Sequence, residues 1–485
     1  MRYLKRSLIL LAACLGMLGL SMPAADPAPA LSWFASRTLL DPSYEPHRTV
    51  VVWRAAPFTY TAAGLVGDAG TVACELGELT GQQWYDRYHA TVTIPLTAKP
   101  GAYRLTINGL DTGLPIRVLP RRDRPKVTLS PENVAKIEAV APYSDVTLAP
   151  GLYTLPKSLA LPPGTRIYGY GATIQTAMPR SVGAAYEQLI FWPPADDLAF
   201  HGVTFLVSNN VLFGSPGQWA NLHWNDCTFR PASRYYAGVG RHDYKNSLYT
   251  GCTFERAAAT VDGGLVLDCQ WRGMVAPRGE GHALTIDGGQ SLCLARSRFD
   301  GCDRGPVLTD TTGPVCGVLI TDIDLRGINR VDNGNELLLC ESRNSREYSQ
   351  CVFHRGRVSG CSGDINLWNA RVSGCVFNDW LLDDASIYFT GIGLQTGNLI
   401  TNCEFRGGGL YFAGSAAGNT VRDCAFIGWR LTRRNQVIPT EYLYDARAPR
   451  PNYRPLPVAS SPLHSAADVN RPAKVNVIEK AAAQQ

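Results

Sequence analysis

Asn225-Asp-Cys-Thr-Phe229, Thr250-Gly-Cys-Thr-Phe254 and Leu267-Asp-Cys-Gln-Trp271 repeat one short pattern. A turn-forming residue is followed by cysteine, one further residue and a large ring. With replacements it recurs at Val203/Phe205, Ser297/Phe299, Ile323/Leu325, Cys351/Phe353, Cys375/Phe377, Cys403/Phe405 and Cys424/Phe426. Successive ring positions are 17 to 28 residues apart, with a mean of about 25. A repeat of that length built from strands and turns has few homes. Leucine-rich repeats share the length, but their Leu-x-x-Leu-x-Leu consensus is absent. The pattern predicts an all-β chain: a right-handed parallel β-helix of about ten or more coils over 126–430, with equivalent residues stacked ~4.8 Å apart. Phe205, Phe229, Phe254, Phe353, Phe377, Phe405 and Phe426 are expected to point inward. Ser130-Pro-Glu-Asn-Val-Ala-Lys-Ile-Glu-Ala-Val140 reads as a helix with Ser130 as N-cap and Pro131 at its first position. It would cap the open apolar end, as solenoid termini require.

On the Asp/Gly/Asn-Cys-x-Phe motif, residues 126–430 resemble the secreted bacterial right-handed β-helix proteins of the pectate-lyase-like superfamily. The resemblance implies the fold and, by association, work on polysaccharides; it specifies no reaction. Polygalacturonases of that superfamily carry Asn-x-Asp, Asp-Asp and Gly-His-Gly motifs in order. Here Asn225-Asp226, Asp383-Asp384 and Gly281-His282-Ala283 are scattered and out of order, and their mechanism is not carried over. The pectate-lyase calcium motif is not seen either.

The remaining segments frame this body. Met1–Arg6 is basic, 7–20 is almost wholly apolar and 21–30 is small and Pro-rich, the plan of a secretory signal peptide (1–25). Leu11-Ala-Ala-Cys14 also resembles a lipobox, which would leave a lipid anchor on Cys14. No later run reaches the ~18 apolar residues a membrane span needs. Residues 31–125 carry strand candidates at 49–55, 70–76, 89–96, 103–107 and 116–119, a β-sandwich spacing. Pro100-Gly-Ala-Tyr-Arg-Leu-Thr-Ile107 resembles the late strands of bacterial immunoglobulin-like modules. Pro120–Pro125 reads as a linker, and 431–485 as a Pro-rich extended or disordered tail. The 485 residues hold 47 glycines, 32 prolines and 18% charged residues, which favours turns and strands and excludes a highly charged disordered chain. The net charge of +5 falls nearly to neutral without the basic N-terminus, so no nucleic-acid footprint exists. These features place the protein outside the cytoplasm: secreted, periplasmic or at the cell surface.

Eleven of the fourteen cysteines lie between Cys227 and Cys403. No Cys-x-x-Cys pair occurs, which argues against zinc. A disulfide framework and a ladder of reduced thiols are both open; the thiol ladder is favoured, because stacked equivalents sit farther apart than disulfide geometry prefers.

Candidate chemistry lies on a second recurring strand: Ala259-Thr-Val-Asp262, Leu284-Thr-Ile-Asp287 and Val307-Leu-Thr-Asp310. One acid per coil would form a surface row of carboxylates, which Glu341 would extend. Such a row suits general acid–base work, with Asp287 central, and it could hold Ca²⁺. Asp-Gly-Gly as a plain turn is the competing reading. At the other end of the same strands Arg256, Arg278 and Arg304, joined by His282, form a candidate basic row for the carboxylates or sulfates of a polysaccharide. Tyr235, Tyr236, Arg241 and Lys245 sit in an insertion suited to walling a groove. No cofactor is required. Two functions from different classes follow: a lyase or glycoside hydrolase working on a polysaccharide in a groove along the β-helix, or a non-catalytic carbohydrate-binding adhesin. A phage tailspike comes third, with the signal peptide against it.

Overall fold

Between the first and second strands of nine successive coils the chain turns on a single residue in the left-handed region. Gly202, Asp226, Gly251, Asp268, Arg296, Asp322, Arg355, Asp379 and Asn402 hold this corner with φ between 49° and 66°. Glycine, aspartate and asparagine tolerate that conformation best, which explains the residue that precedes cysteine in the motif. The two arginines there are each tied to the corner aspartate one coil earlier, Arg296 to Asp268 (2.5 Å) and Arg355 to Asp322 (2.8 Å).

This computed structural model describes residues 32–55, 89–107, 110–176, 195–207, 219–231, 237–238, 244–245, 247–275, 282–289, 291–309, 313–328, 336–341, 347–361, 364–368, 371–390, 395–412, 416–417, 419–422 and 424–427. The chain divides into units 1–32 and 33–485, and every element below belongs to the second. The fold is the expected right-handed parallel β-helix. Its first ladder stacks Val146, Ile167, Phe200, Trp224, Tyr249, Val266, Leu294, Ile320, Phe353, Phe377, Ile400 and Val421 in register. The second stacks Tyr153, Ile174, Phe205, Phe229, Phe254, Trp271, Phe299, Leu325, Val358, Leu382 and Phe405. A third ladder includes Ala257–Val261, His282–Asp287, Arg304–Thr309 and Glu336–Glu341.

The rings expected to face inward are buried, with the side chain of Phe426 outside the described residues. They do not form one column, however. Phe353 and Phe377 stand in the first ladder, while Phe205, Phe229, Phe254 and Phe405 stand in the second. The switch follows from packing: Gly356 occupies the cysteine position of the second column, and a Cβ there would lie 2.4 Å from the ring of Trp380 one coil on. The thiols therefore form two ladders. Cys227, Cys252 and Cys269, then Cys403 and Cys424, line one corner, and Cys351 and Cys375 line the other. No disulfide joins the eleven described cysteines, and ten of them are buried.

The capping segment forms as a 3₁₀ helix, Pro131–Ala139, with the Asn133 side chain accepting from the Ser130 backbone N–H (2.8 Å) and Ile137 buried against the first coils. Ahead of it, Phe34–Ala35, Thr49–Trp53 and His89–Thr93 form one sheet; Leu39–Leu40, Gly101–Ile107 and Leu110–Val118 form another. The two share a core that includes Leu40, Val50, Val52, Val92, Leu105 and Ile116. This sandwich packs along the β-helix. Phe34, Val51 and Trp53 cover the outward residues of the first ladder, Leu248, Leu265, Cys293, Leu319 and Val352. Trp53 Nε1 donates to the Gly317 carbonyl at 3.0 Å. Strands covered on both faces read as unbroken apolar runs, as in Leu292-Cys-Leu-Ala295.

Phe254 is fully buried between Phe229 (ring centroids 4.9 Å) and Trp271 (4.7 Å). Phe254→Ala should cost ~3–5 kcal/mol in denaturant unfolding. Hydrogen exchange should rise first in the two flanking coils, since solenoid repeats couple to their neighbours.

Candidate functional site

The residues singled out on the third ladder separate. Asp262 follows Val261, which is in register with Ile286, so Asp262 stands opposite Asp287. Asp287 itself is fully buried and accepts from the Thr309 hydroxyl (2.8 Å). The expected surface row is corrected on two points: its central carboxylate lies inside, and Thr309 rather than Asp310 stands next in register, followed by Glu341. A strand of alternating faces cannot place both Thr309 and Asp310 in one row. Asp310 lies outside the described residues. At the other end the structure brings His282 and Arg304 together in register, with Arg304 Nη1 donating to His282 Nε2 (2.5 Å). A guanidinium only donates, so that imidazole nitrogen is unprotonated. Arg256 is outside this row: it is an exposed left-handed corner residue (φ 48°), and Ala257 takes the register position beside His282. Arg278, Tyr235, Tyr236 and Arg241 lie outside the described residues, as does the side chain of Lys245. Among the described residues no three His, Cys, Asp or Glu side chains converge as a metal site.

A different constellation forms where the sandwich meets the first coils. Tyr44 is buried and its hydroxyl lies 2.6 Å from both His201 Nε2 and His223 Nδ1. The network fixes the proton positions. The exposed Asp226 carboxylate only accepts, so Asn225 turns Nδ2 towards it (2.9 Å) and Oδ1 towards the Thr250 hydroxyl (2.6 Å). Thr250 has then donated its proton, and it accepts from His223 Nε2 (3.1 Å). His223 Nδ1 in turn accepts from Tyr44, and His201 Nε2–H donates to the Tyr44 oxygen. These tautomers are assigned from the network. His47 packs on the same ring at 4.5 Å, and the Arg166 guanidinium lies 3.8 Å from it.

Burial dominates the titration of this cluster. It lowers His201 to about 4, with Arg166 adding to the effect. It holds His47 and His223 well below the usual imidazole value, with Arg37 and His201 respectively as the next causes. It lifts Tyr44 well above the usual phenol value, against Arg166, and brings Arg37 to about 10. Desolvation penalises whichever form is charged.

Beside this cluster lies a cavity of about 270 Å³. Its walls come from three places: Arg37–His47 and the strand residue Arg117 of the sandwich, Leu119–Arg124 of the connecting segment, and the coil corner Tyr143, Gly164, Asp197 and Asn221. Five arginines line it: Arg37, Arg117, Arg122, Arg124 and Arg166. Arg166 pairs with Asp41 (2.9 Å) and Arg124 with Asp145 (2.6 Å). Arg122 lies over the Tyr143 ring at 3.9 Å. Of the two lining carboxylates, Asp41 also accepts from Ser43, and Asp197 accepts from Asn221 (2.9 Å). Sequence reasoning read Pro120–Pro125 as a linker and missed this site. Its one visible signal is the density of arginine in Arg117–Arg124.

No protein-family model and no curated protein sequence matches the chain. Among solved structures it is similar to PfbA, a surface adhesin of Streptococcus pneumoniae (12% identity, 62% of this chain and 88% of that one, TM-score 0.29). It is also similar to the tailspike of E. coli bacteriophage HK620 in complex with a pentasaccharide (10%, 58% and 53%, 0.33) and to an exopolygalacturonase from Thermotoga maritima (9%, 64% and 94%, 0.35). The chain spans about half of the tailspike. The fold places the chain in the class of parallel β-helix proteins. Identities and scores of this size say nothing about its reaction.

The buried imidazoles make stability depend on pH. Folding depresses their pKa values, so between about 6.5 and 4 the unfolded chain binds more protons, and stability falls as pH drops through that window. His201 alone should remove about 3 kcal/mol by pH 4, at ~1.4 kcal/mol per unit. Chemical denaturation at stepped pH checks this. Tyr44→Phe leaves two imidazole nitrogens without their partner and should cost ~1–3 kcal/mol at pH 7.5.

Proposed function

We propose that this is a secreted, polysaccharide-active β-helix protein that engages an acidic glycan. The observation that carries the reading is the cavity with five arginines and only two lining carboxylates, both already hydrogen-bonded. Guanidinium groups in a partly desolvated site suit carboxylate or sulfate groups on a sugar. The leader-like N-terminus supports export, and no helix among the described residues is long and apolar enough to cross a membrane.

Within this reading a lyase is favoured over a hydrolase by the third ladder. It pairs an unprotonated imidazole nitrogen with a guanidinium at His282/Arg304, whereas its central carboxylate, Asp287, is buried. In a lyase a basic side chain removes the proton next to a uronate carboxylate while a cation offsets the developing charge. The same burial of Asp287 favours the second reading, a non-catalytic surface binder.

The purified protein should bind polygalacturonate, alginate or hyaluronan in titration calorimetry, more weakly as salt rises, and ignore xylan and a neutral β-glucan. Cleavage as a lyase would release ultraviolet-absorbing unsaturated ends; a hydrolase would release reducing ends without them. His282→Ala should lower lyase activity by ~10²-fold or more, and Asp287→Asn should leave it within a few-fold. Binding without either kind of end would establish the adhesin reading. Preference for neutral glycans would overturn the proposal.

A further inference from the structure

Arg37 is 5% exposed, lines the cavity, and has its Nη1 on the Pro46 carbonyl (3.2 Å). Its Nε is buried and finds no hydrogen-bond partner among the described residues. His47 Nε2, in the same wall, is also buried and without a partner. Buried donors of this kind are rare, and leaving one unmade is costly. Two such atoms on adjoining side chains mark this wall of the cavity as a place where the protein's own pairing is incomplete.

The charge around them narrows the ligand. Arg124 and Arg166 are each matched by an aspartate. Among the described residues Arg37 has no ion pair, and Arg117 on its sandwich strand and Arg122 on the connecting segment stand exposed beside it. An oxyanion at Arg37 would be drawn in by the two outer guanidiniums. His47 is held neutral by burial, so its imidazole serves a hydroxyl or a neutral acceptor better than a second negative charge. A carboxylate beside a hydroxyl, on one small ligand, suits both side chains. The volume, about 270 Å³, is at the lower limit of ligand pockets (~300 Å³ upward). It suits a monosaccharide rather than an oligosaccharide. Finally, the sandwich, the connecting segment and the coil corner wall the cavity from three sides. A polymer strand running lengthwise would have to pass through one of them.

Taken with the acidic-glycan reading, on which this rests, the geometry points to a chain-end subsite: the cavity between sandwich and first coils takes the terminal uronate residue of a glycan, its carboxylate on Arg37 and a ring hydroxyl on His47. This subsite lies at the first corner of the coils and on the sandwich, away from the His282/Arg304 pair on the third ladder. Asp41, Ser43 and the Tyr143 ring, with Arg122 over it, complete the lining.

The test uses the full chain and titration calorimetry with D-galacturonate and D-glucuronate, the methyl ester of each, a sulfated monosaccharide, and inorganic sulfate. The free uronates should bind and the esters at least tenfold more weakly. A uronate monosaccharide should displace a polyuronate. The affinity expressed per chain end should not change with polymer length. Arg37→Gln should abolish binding. Because that buried change risks the fold, Arg117→Ala/Arg122→Ala serves beside it: both positions are exposed, so the melting temperature should hold while affinity drops tenfold or more. His47→Gln should weaken the uronate but not inorganic sulfate. Equal binding of inorganic sulfate and uronate, unaffected by His47→Gln, would reduce the site to a simple oxyanion trap and overturn the sugar assignment. Polymer binding that no monosaccharide displaces, and that survives Arg117→Ala/Arg122→Ala, would overturn the chain-end site while leaving the acidic-glycan reading intact. No binding of any acidic sugar or polymer would overturn both.

Discussion

Everything in this molecule depends on a corner that is turned by one residue in the left-handed region in nine successive coils. If the corner is one residue long, the strands on either side keep their register, and equivalent side chains fall one above another. That vertical repeat lets Phe205, Phe229, Phe254, Trp271 and Phe299 stack as a continuous row of rings, with interplanar angles from 2° to 13°. It also explains why the corner accepts arginine at positions 296 and 355. The unfavourable backbone is offset by an ion pair to the coil below, which exists only because the coils are in register.

The same regularity creates the surface on which the sandwich rests. A first ladder with apolar residues on both faces needs a second layer, and Phe34, Val51 and Trp53 supply it. Further along, the layer meets coils whose outward residues are His201 and His223 rather than leucine or valine. There the contact is polar, and Tyr44 satisfies both imidazoles with one hydroxyl. The chain of donors from His201 to Asp226 shows how a buried polar cluster is tolerated: each member is matched and the last partner lies at the surface. Where matching stops, at Arg37 and His47, a cavity begins. The molecule thus combines a repetitive scaffold with a non-repetitive site at the one place where two different layers join.

The β-helix was legible because its signal is periodic and recurs many times. The capping segment and most strand positions of the sandwich were legible for similar reasons, from proline, glycine and alternating apolar residues. Spacing alone misled in one respect. It merged Phe353 and Phe377 with the rings of the other ladder, because a coil enlarged between Leu325 and Val358 mimics a normal step. Asp310 was aligned with Asp287 by motif similarity, although strand pairing aligns Thr309. Arg256 likewise looked like a member of a basic row, yet it is a corner residue one position out of phase.

The sequence by itself determined the repeating coil, since corner, thiol and ring are local features separated by a handful of residues. Only the tertiary structure decided which residues share a site. Tyr44 and His223 are 179 residues apart, and Arg37 and Asn221 line one cavity only because the sandwich packs on the first ladder. Burial of Asp287 is decided the same way, by the coils above and below it. Local pattern specifies how a strand turns and which face is apolar. Distance in space, desolvation and the partner of each polar group are properties of the packed layers, and no short stretch of chain contains them.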